Sequence, residues 1–369
     1  ERDAIFGYHF YRLLQRAKHI SIIYNTQNDD FGSGEKSRFI TQIINELDHL
    51  QINEKFLQSD INSINSMDTI SIKKTYDVKN QIIEWSSKKV SSTSLTNFIN
   101  CRLQFYFKYI AKIYSQNEIV EFIQANSFGT IIHEALKEAY SPHLHKPLRT
   151  QLLAEIRNTT LTAISLGFQK EVGERINYGK NHLLFQVAKR LTSNFFEAEK
   201  IFLSGLTKAL VVTDVEVPLK YSLTVEGIKF NLFGNIDRID KLGNLVRIVD
   251  YKSGKVDQKD LSFDKFDELI YDPNKSKAFQ LLFYSYLYAK NRKTDQFFKA
   301  GIYSLKNLDD GVIYLKYKKT ALEINLSVIN DFENILKTLL LNILNVEQEF
   351  FASKSTNTNN WKDFQSIFQ

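Results

Sequence analysis

Cysteine is almost absent from this 369-residue chain, with Cys101 alone. A single thiol excludes an intrachain disulfide, and equally a zinc or iron–sulfur site built only from this chain's cysteines. A metal held here therefore needs carboxylates, imidazoles or backbone oxygens. Long apolar runs are missing as well: no stretch of roughly 18 uninterrupted apolar residues exists, so no membrane-crossing helix is expected. The opening Glu1-Arg-Asp-Ala-Ile-Phe-Gly-Tyr-His-Phe10 has neither an initiator Met nor the apolar core of a signal peptide. The expectation is a cytoplasmic chain with no membrane partner, the C-terminal part of something longer. Internal repeats and collagen-like segments are also lacking.

What is present is an ordinary globular composition. With 43% hydrophobic residues the chain can bury a full core, in one large domain plus a smaller one. Its formal charge of +6 suits a polyanionic partner, because Lys and Arg gain affinity by releasing counterions from phosphates.

Apolar periodicity predicts a helix over 5–17, a buried strand at His19–Tyr24 and a helix from Lys36 to Leu50, a small α/β piece. Between them, Asn28 to Ser37 has the position of a phosphate-binding loop but not its chemistry. Such a loop needs Gly directly before Lys, and Glu35 stands there and would repel phosphate. Residues 51–90, rich in Asn, Ser, Asp and Lys with one β-like patch at Ile70–Ile72, read as a linker. Helices are then expected at Leu95–Ile110, Ser127–Tyr140 and two or three times within 149–206, Lys180–Phe202 being the longest. Strands follow at 211–219, 222–226, 228–240 and 245–252. A helix over Lys277–Lys290, strands near 298–304 and 311–317, and a long helix from Ser327 to Phe351 complete the pattern. Helices bracketing a central mixed β-sheet give an α/β fold.

The chemistry concentrates in one hairpin. Ile236 and Ile239 flank one arm, Leu245, Val246, Ile248 and Val249 the other, and Lys241-Leu-Gly-Asn244 is the turn. A two- or four-residue loop sets Asp237 opposite Ile248, on one sheet face with Asp250 and Lys252. The two acids are then diagonal neighbours roughly 7–8 Å apart, near enough to meet on one Mg²⁺ or Mn²⁺. A three-residue loop would put them on opposite faces, and a solvated hairpin is the plain alternative.

Other polar residues are less specific. His133, in Gly129-Thr-Ile-Ile-His-Glu, is no zinc-protease motif, since Lys137 stands where the second His would be; it is either a metal ligand among acids or an ordinary surface His. Gln280 and Tyr284 share a helix face, where an amide and a hydroxyl can hold a phosphate or simply pack. Glu216, alternating with apolar residues, faces either the same cleft as a further acid or water. His143 and His145 read as surface residues.

Taken in order, Ser91–Tyr109, Gly129-x-x-x-His-Glu, Gly234-Asn-Ile-Asp-Arg-Ile-Asp240, Asp250-Tyr-Lys-Ser-Gly254 and Gln280-x-x-x-Tyr284 resemble the RecB/AddB-type branch of the PD-(D/E)xK nuclease superfamily. The resemblance implies a restriction-endonuclease-like core over 91–369, after a linker at 51–90. It also implies a metal-dependent deoxyribonuclease acting in DNA repair and recombination end processing. His133, Asp237, Asp250 and the Tyr251 carbonyl would bind the metal, Lys252 would serve the attacking water, and Gln280 and Tyr284 would position the DNA. Residues 1–50 resemble the remnant of an inactivated helicase-like domain, which implies an AddA-like helicase partner. Many relatives carry a four-cysteine iron–sulfur cluster, but only Cys101 has a counterpart here, so no cluster is expected and Trp361, Phe364 and Phe368 are expected to close the domain by packing. The competing expectation is an inactive DNA-binding or partner-binding scaffold that kept the fold.

Overall fold

The computed structural model describes residues 2–24, 36–47, 51–55, 71–113, 122–293 and 296–351. Two units divide between Ser66 and Met67. In the first, α1 (Arg2–Leu14) meets α2 (Arg38–Glu46) through stacked Phe10 and Phe39 rings, centroids 5.4 Å apart, and through Tyr11 Oη donating to Gln42 Oε1 at 2.6 Å. The strand expected at His19–Tyr24 does not form: the segment is irregular and Ile20, Ile22 and Ile23 are exposed. A strand needs a hydrogen-bonding neighbour, and the described residues of this unit supply none. The near-miss phosphate loop lies largely outside the described residues, as do Trp361, Phe364 and Phe368.

The second unit is a mixed sheet between helical layers. It opens with β1 (Ser71–Ile72), α3 (Tyr76–Lys88), β2 (Val90–Ser91), α4 (Ser92–Asn100) and α5 (Arg102–Phe105), the last continuing as a π-helical turn over Tyr106–Ile110. Next come α6 (Ala125–Tyr140), α7 (Thr150–Val172), α8 (Gly179–Ser204), β3 (Leu210–Val225), β4 (Ile228–Leu242), β5 (Leu245–Lys252), β6 (Ser262–Phe263) and α9 (Glu268–Tyr271). Completing it are α10 (Ser276–Arg292), β7 (Phe298–Ser304), β8 (Val312–Tyr314), β9 (Lys316–Tyr317), β10 (Thr320–Ala321), α11 (Leu326–Leu344) and β11 (Phe350–Phe351). The main sheet runs β2-β4-β5-β7-β8 with β3 along the free side of β4; β5 and β7 are parallel and joined through α10. One apolar core lies between the sheet and α3, α4, α10 and α11, another between the sheet and α6, α7 and α8.

Several differences from the sequence reading have clear causes. Part of the expected linker is a core helix: Thr75 caps α3, and Val78, Ile82 and Trp85 recur at helical spacing and are buried. The single helix expected over Leu95–Ile110 breaks at Cys101, whose backbone is extended. The two strands expected within 211–226 are one, because β3 is an edge strand where Pro218 costs no ladder donor. The last helix stops at Leu344 because Lys74 Nζ donates to the carbonyls of Asn342 and Asn345, at 3.0 and 2.9 Å, and the chain then turns back as β11 beside β1. Burial, followed by the nearby Arg102 charge, lowers the Lys74 pKa to about 8.

Two contacts test this packing. At Gly301 an added Cβ would lie 2.6 Å from Val312 Cγ1 and 2.8 Å from the Ile313 carbonyl oxygen, the latter being backbone of the paired strand. Gly301→Ala is expected to destabilise the unit by about 1–3 kcal/mol in urea unfolding. On α11, Glu333 accepts from Tyr286 Oη at 3.0 Å and pairs with Lys290 and Lys337, each at 2.7 Å. Burial raises its pKa, but the hydrogen bonds from Lys290, Lys337 and Tyr286 outweigh that and hold it at about 2. A depressed folded pKa stabilises above the unfolded value near 4.3 and ceases to do so as pH falls toward 2. The melting-temperature difference between wild type and Glu333→Gln is therefore expected to shrink across that window and to vanish only as pH falls below about 2.

Candidate active site

The β4–β5 hairpin closes through a two-residue turn, Gly243–Asn244, with Leu242 paired to Leu245 and Gly243 at φ +60°. Ile239 faces Ile248 and Arg238 faces Val249, so Asp237 continues toward Asp250 rather than toward Ile248. The expected register is corrected by two residues. A shift of two preserves side-chain parity, and Asp237, Asp250 and Lys252 still share a face. The ladder ends at Arg238 and Val249; just beyond it the Tyr251 N–H donates to Asp237 Oδ2 at 2.7 Å.

The same point on β3 is irregular. Val217 and Ile236 pair and lie in the core on the α10 side, whereas Val215 and its partner Arg238 face the α6–α8 side. Residues two apart in a regular strand share a face, so both strands roll over between these pairs. Glu216 sits at the roll-over with φ +49°, a left-handed conformation that costs a non-glycine residue free energy, and Asp237 lies across from it. Glu216 thereby turns into the cleft, where it accepts a hydrogen bond from Asn235.

Helix α6 brings His133 to this point. Its Nδ1 is 3.4 Å from Asp237 Oδ2 and 3.7 Å from Glu216 Oε1. One ligand atom from each of His133, Glu216 and Asp237 falls within 4.8 Å of the others. Burial opposes protonation of His133, but hydrogen bonds to Asp237 and Glu216 and the charges of Asp237 and Asp250 lift its pKa to about 10. Asp250 is 2% exposed, and burial raises its carboxyl above the usual range against the pull of Lys252, whose Nζ is 2.9 Å from Oδ2. That close approach lacks hydrogen-bond geometry, so Asp250 Oδ2 is a buried oxygen without a hydrogen-bond donor among the described residues. A buried carboxylate ion-paired with Lys252, beside two further acids and an imidazole, is a donor set that fits a divalent cation.

Gln280 and Tyr284 on α10 also reach the cleft. The Gln280 amide donates to Tyr284 Oη at 2.8 Å, and Tyr284 lies close enough to Asp250, Asp237 and Lys252 to feel their charges. Burial, then Asp250, pushes the Tyr284 pKa to about 12. Gly234 permits this approach: a Cβ there would lie 3.0 Å from the Tyr284 ring and 2.8 Å from Leu287. The Tyr251 group that meets the acids is its N–H; its ring packs edge-on to His133, with centroids 6.1 Å apart.

A family model for the PD-(D/E)XK nuclease superfamily matches residues 89–359. The chain belongs to the PD-(D/E)XK nuclease superfamily. Its mixed sheet flanked by helices is the restriction-endonuclease-like fold. Among solved structures, this superfamily member resembles a protein from Eubacterium rectale named as a candidate exonuclease, at 9% identity over 75% of this chain and 89% of that one, with a TM-score of 0.40. It also resembles the protein SSO0001, at 12% identity over 71% of this chain and 84% of that one, with a TM-score of 0.23. No curated protein sequence shows significant similarity to the chain.

Behind the nuclease-superfamily cleft lies a buried ionic cluster that sequence reasoning did not single out. Arg238 donates to Glu199 Oε1 at 2.7 Å, Asp240 Oδ2 at 2.8 Å and Tyr251 Oη at 3.2 Å. Arg247 holds Asp240 through two bonds of 2.6 and 2.9 Å, and Tyr140 donates to Glu199. The available signal was charge inside apolar runs: Arg238, Asp240 and Arg247 interrupt strands covered on both faces, where only paired charges survive. Arg238→Met removes the cation shared by Glu199 and Asp240 and is expected to cost about 3–5 kcal/mol in urea unfolding.

Proposed function

We propose that this protein is a metal-dependent deoxyribonuclease that hydrolyses phosphodiester bonds. The observation that carries the reading is the convergence of His133, Glu216, Asp237 and Asp250, from a helix and three strands, with Lys252 held against Asp250. His133, Glu216, Asp237 and Asp250 would hold Mg²⁺ or Mn²⁺, with the Tyr251 carbonyl as a further ligand. The bound ion would neutralise charge developing on the phosphate and lower the pKa of its water.

The chain's own groups would do the rest. Lys252, charged and anchored by Asp250, orients the attacking water and offsets charge on the scissile phosphate. Tyr284 keeps its proton because its pKa is raised, and since Gln280 already donates to its oxygen, its O–H is available to a phosphate oxygen. Asp237 is held by the Tyr251 N–H, so it meets its ligand with little reorganisation. The ordered resemblance of motifs supports a RecB/AddB-type role in end processing during DNA repair, with residues 1–50 as a helicase-like remnant and an AddA-like helicase as partner.

Purified chain incubated with labelled linear single- and double-stranded DNA is expected to cleave with Mg²⁺ or Mn²⁺ and not with EDTA. Asp250→Ala and Lys252→Ala are each expected to lower the rate by at least about 10²-fold without loss of fold, the size expected when a transition-state charge partner is removed. Binding without cleavage under every metal would favour the scaffold alternative.

A further inference from the structure

The helices α6–α8 cover only part of the sheet face on their side. Beyond the roll-over at Glu216 and Asp237, the outward residues of β3 and β4 are open: Pro218, Lys220 and Ser222 are exposed on one strand, and Asn231, Phe233 and Asn235 are half-buried on the other. Here a groove of about 460 Å³ is lined by Lys88, Lys89, Lys220, Ser222, Asn231 and Phe233. It points along β4 toward the site, with Phe233, Asn235 and Asp237 following one another on the strand and Asn235 donating to Glu216. Phe233 lies about 13 Å along the strand from Asp237, at roughly 3.3 Å per residue.

The groove's chemistry is that of a nucleic-acid strand. Its cations outnumber its acids, and neither Lys89 nor Lys220 has a carboxylate within ion-pair distance among the described residues. Lys88, by contrast, is engaged by Glu84. Lys89 Nζ lies over the half-buried Phe233 ring, 3.6 Å from its centroid, so the groove sets an aromatic ring and an ammonium side by side, the pair of groups that a base and its phosphate need. The floor is pre-set: Ser222 Oγ donates to Asn231 Oδ1 at 2.9 Å, and Asn231 Nδ2 donates to the Ser87 carbonyl.

We propose that this groove is a single-strand subsite. It holds the nucleotides on one side of the scissile phosphate, with Lys89 and Lys220 on phosphates and Phe233 against a base. The proposal rests on the nuclease reading of the adjoining site. A base-stacking ring between phosphate-binding cations favours a single strand over a duplex, whose bases are already stacked on each other.

The test is fluorescence anisotropy of full-length chain with labelled oligothymidine, in EDTA so that nothing is cut, over a salt series. Wild type is expected to bind. The Lys89→Ala/Lys220→Ala variant is expected to bind at least about fivefold more weakly, with the slope of log affinity against log salt reduced by about 0.7 per lysine. Phe233→Ala is expected to lose about fivefold or more, and Phe233→Tyr to recover it. Lys319→Ala removes a charge from the β9–β10 turn and should change neither number. Groove variants that bind like wild type while metal-dependent cleavage persists would overturn the subsite and leave the nuclease reading intact. Wild type that neither binds nor cleaves any nucleic acid would overturn both.

Discussion

Arg238 is the group on which the architecture of the cleft depends. Fully buried, it ties Glu199 of α8, Asp240 of β4 and Tyr251 of β5 to one guanidinium, and Glu199 accepts from Tyr140 of α6. Such a charge survives burial only when its donors are met, and the matched acids meet them. The consequence reaches His133 on the same side of the sheet, where its ring packs on Tyr251. Tyr140 and His133 lie two turns apart on the same helix, so anchoring the end of α6 to the cluster fixes where His133 arrives above Asp237. The cluster is therefore the scaffold of the site's geometry without entering the cleft.

The cleft itself is an exercise in concentrated negative charge. Glu216, Asp237 and Asp250 are brought close in a partly dry environment, and His133 and Lys252 supply balancing charge, as the raised pKa of each indicates. A left-handed residue at Glu216 and a ladder that ends one pair early are the backbone's contribution. Local irregularity is what lets two neighbouring strands offer their acids to one point, a recurrent use of bulged edges beside functional sites.

Much of the fold was legible because hydrophobic periodicity reports burial directly. The long helices α7, α8 and α10 and strands β4, β5 and β7 stand close to where their apolar patterns put them. The hairpin could be drawn from Gly243, Asn244 and the flanking β-branched residues, and parity alone put Asp237, Asp250 and Lys252 on one face although the register was off by two. Errors came where local pattern and tertiary partner disagree. Ile20, Ile22 and Ile23 look like a strand but have no pairing neighbour, whereas α3 looks like linker because its buried stripe is only Val78, Ile82 and Trp85 among polar residues.

The sequence by itself determined the inventory: which acids, which lysine and which histidine stand on which element, since these depend on chain-local spacing of two or 3.6 residues. Only the tertiary structure decided their meeting. That His133 of α6 touches Asp237, that Glu216 turns inward rather than to water, and that Arg238 is the buried partner of Glu199 are contacts between residues far apart in the chain. No local period encodes them, because they are set by how helices seat on a sheet once its faces are covered. The open face holding Phe233, Lys89 and Lys220 has the same origin, for a surface is exposed only where no other element has come to lie.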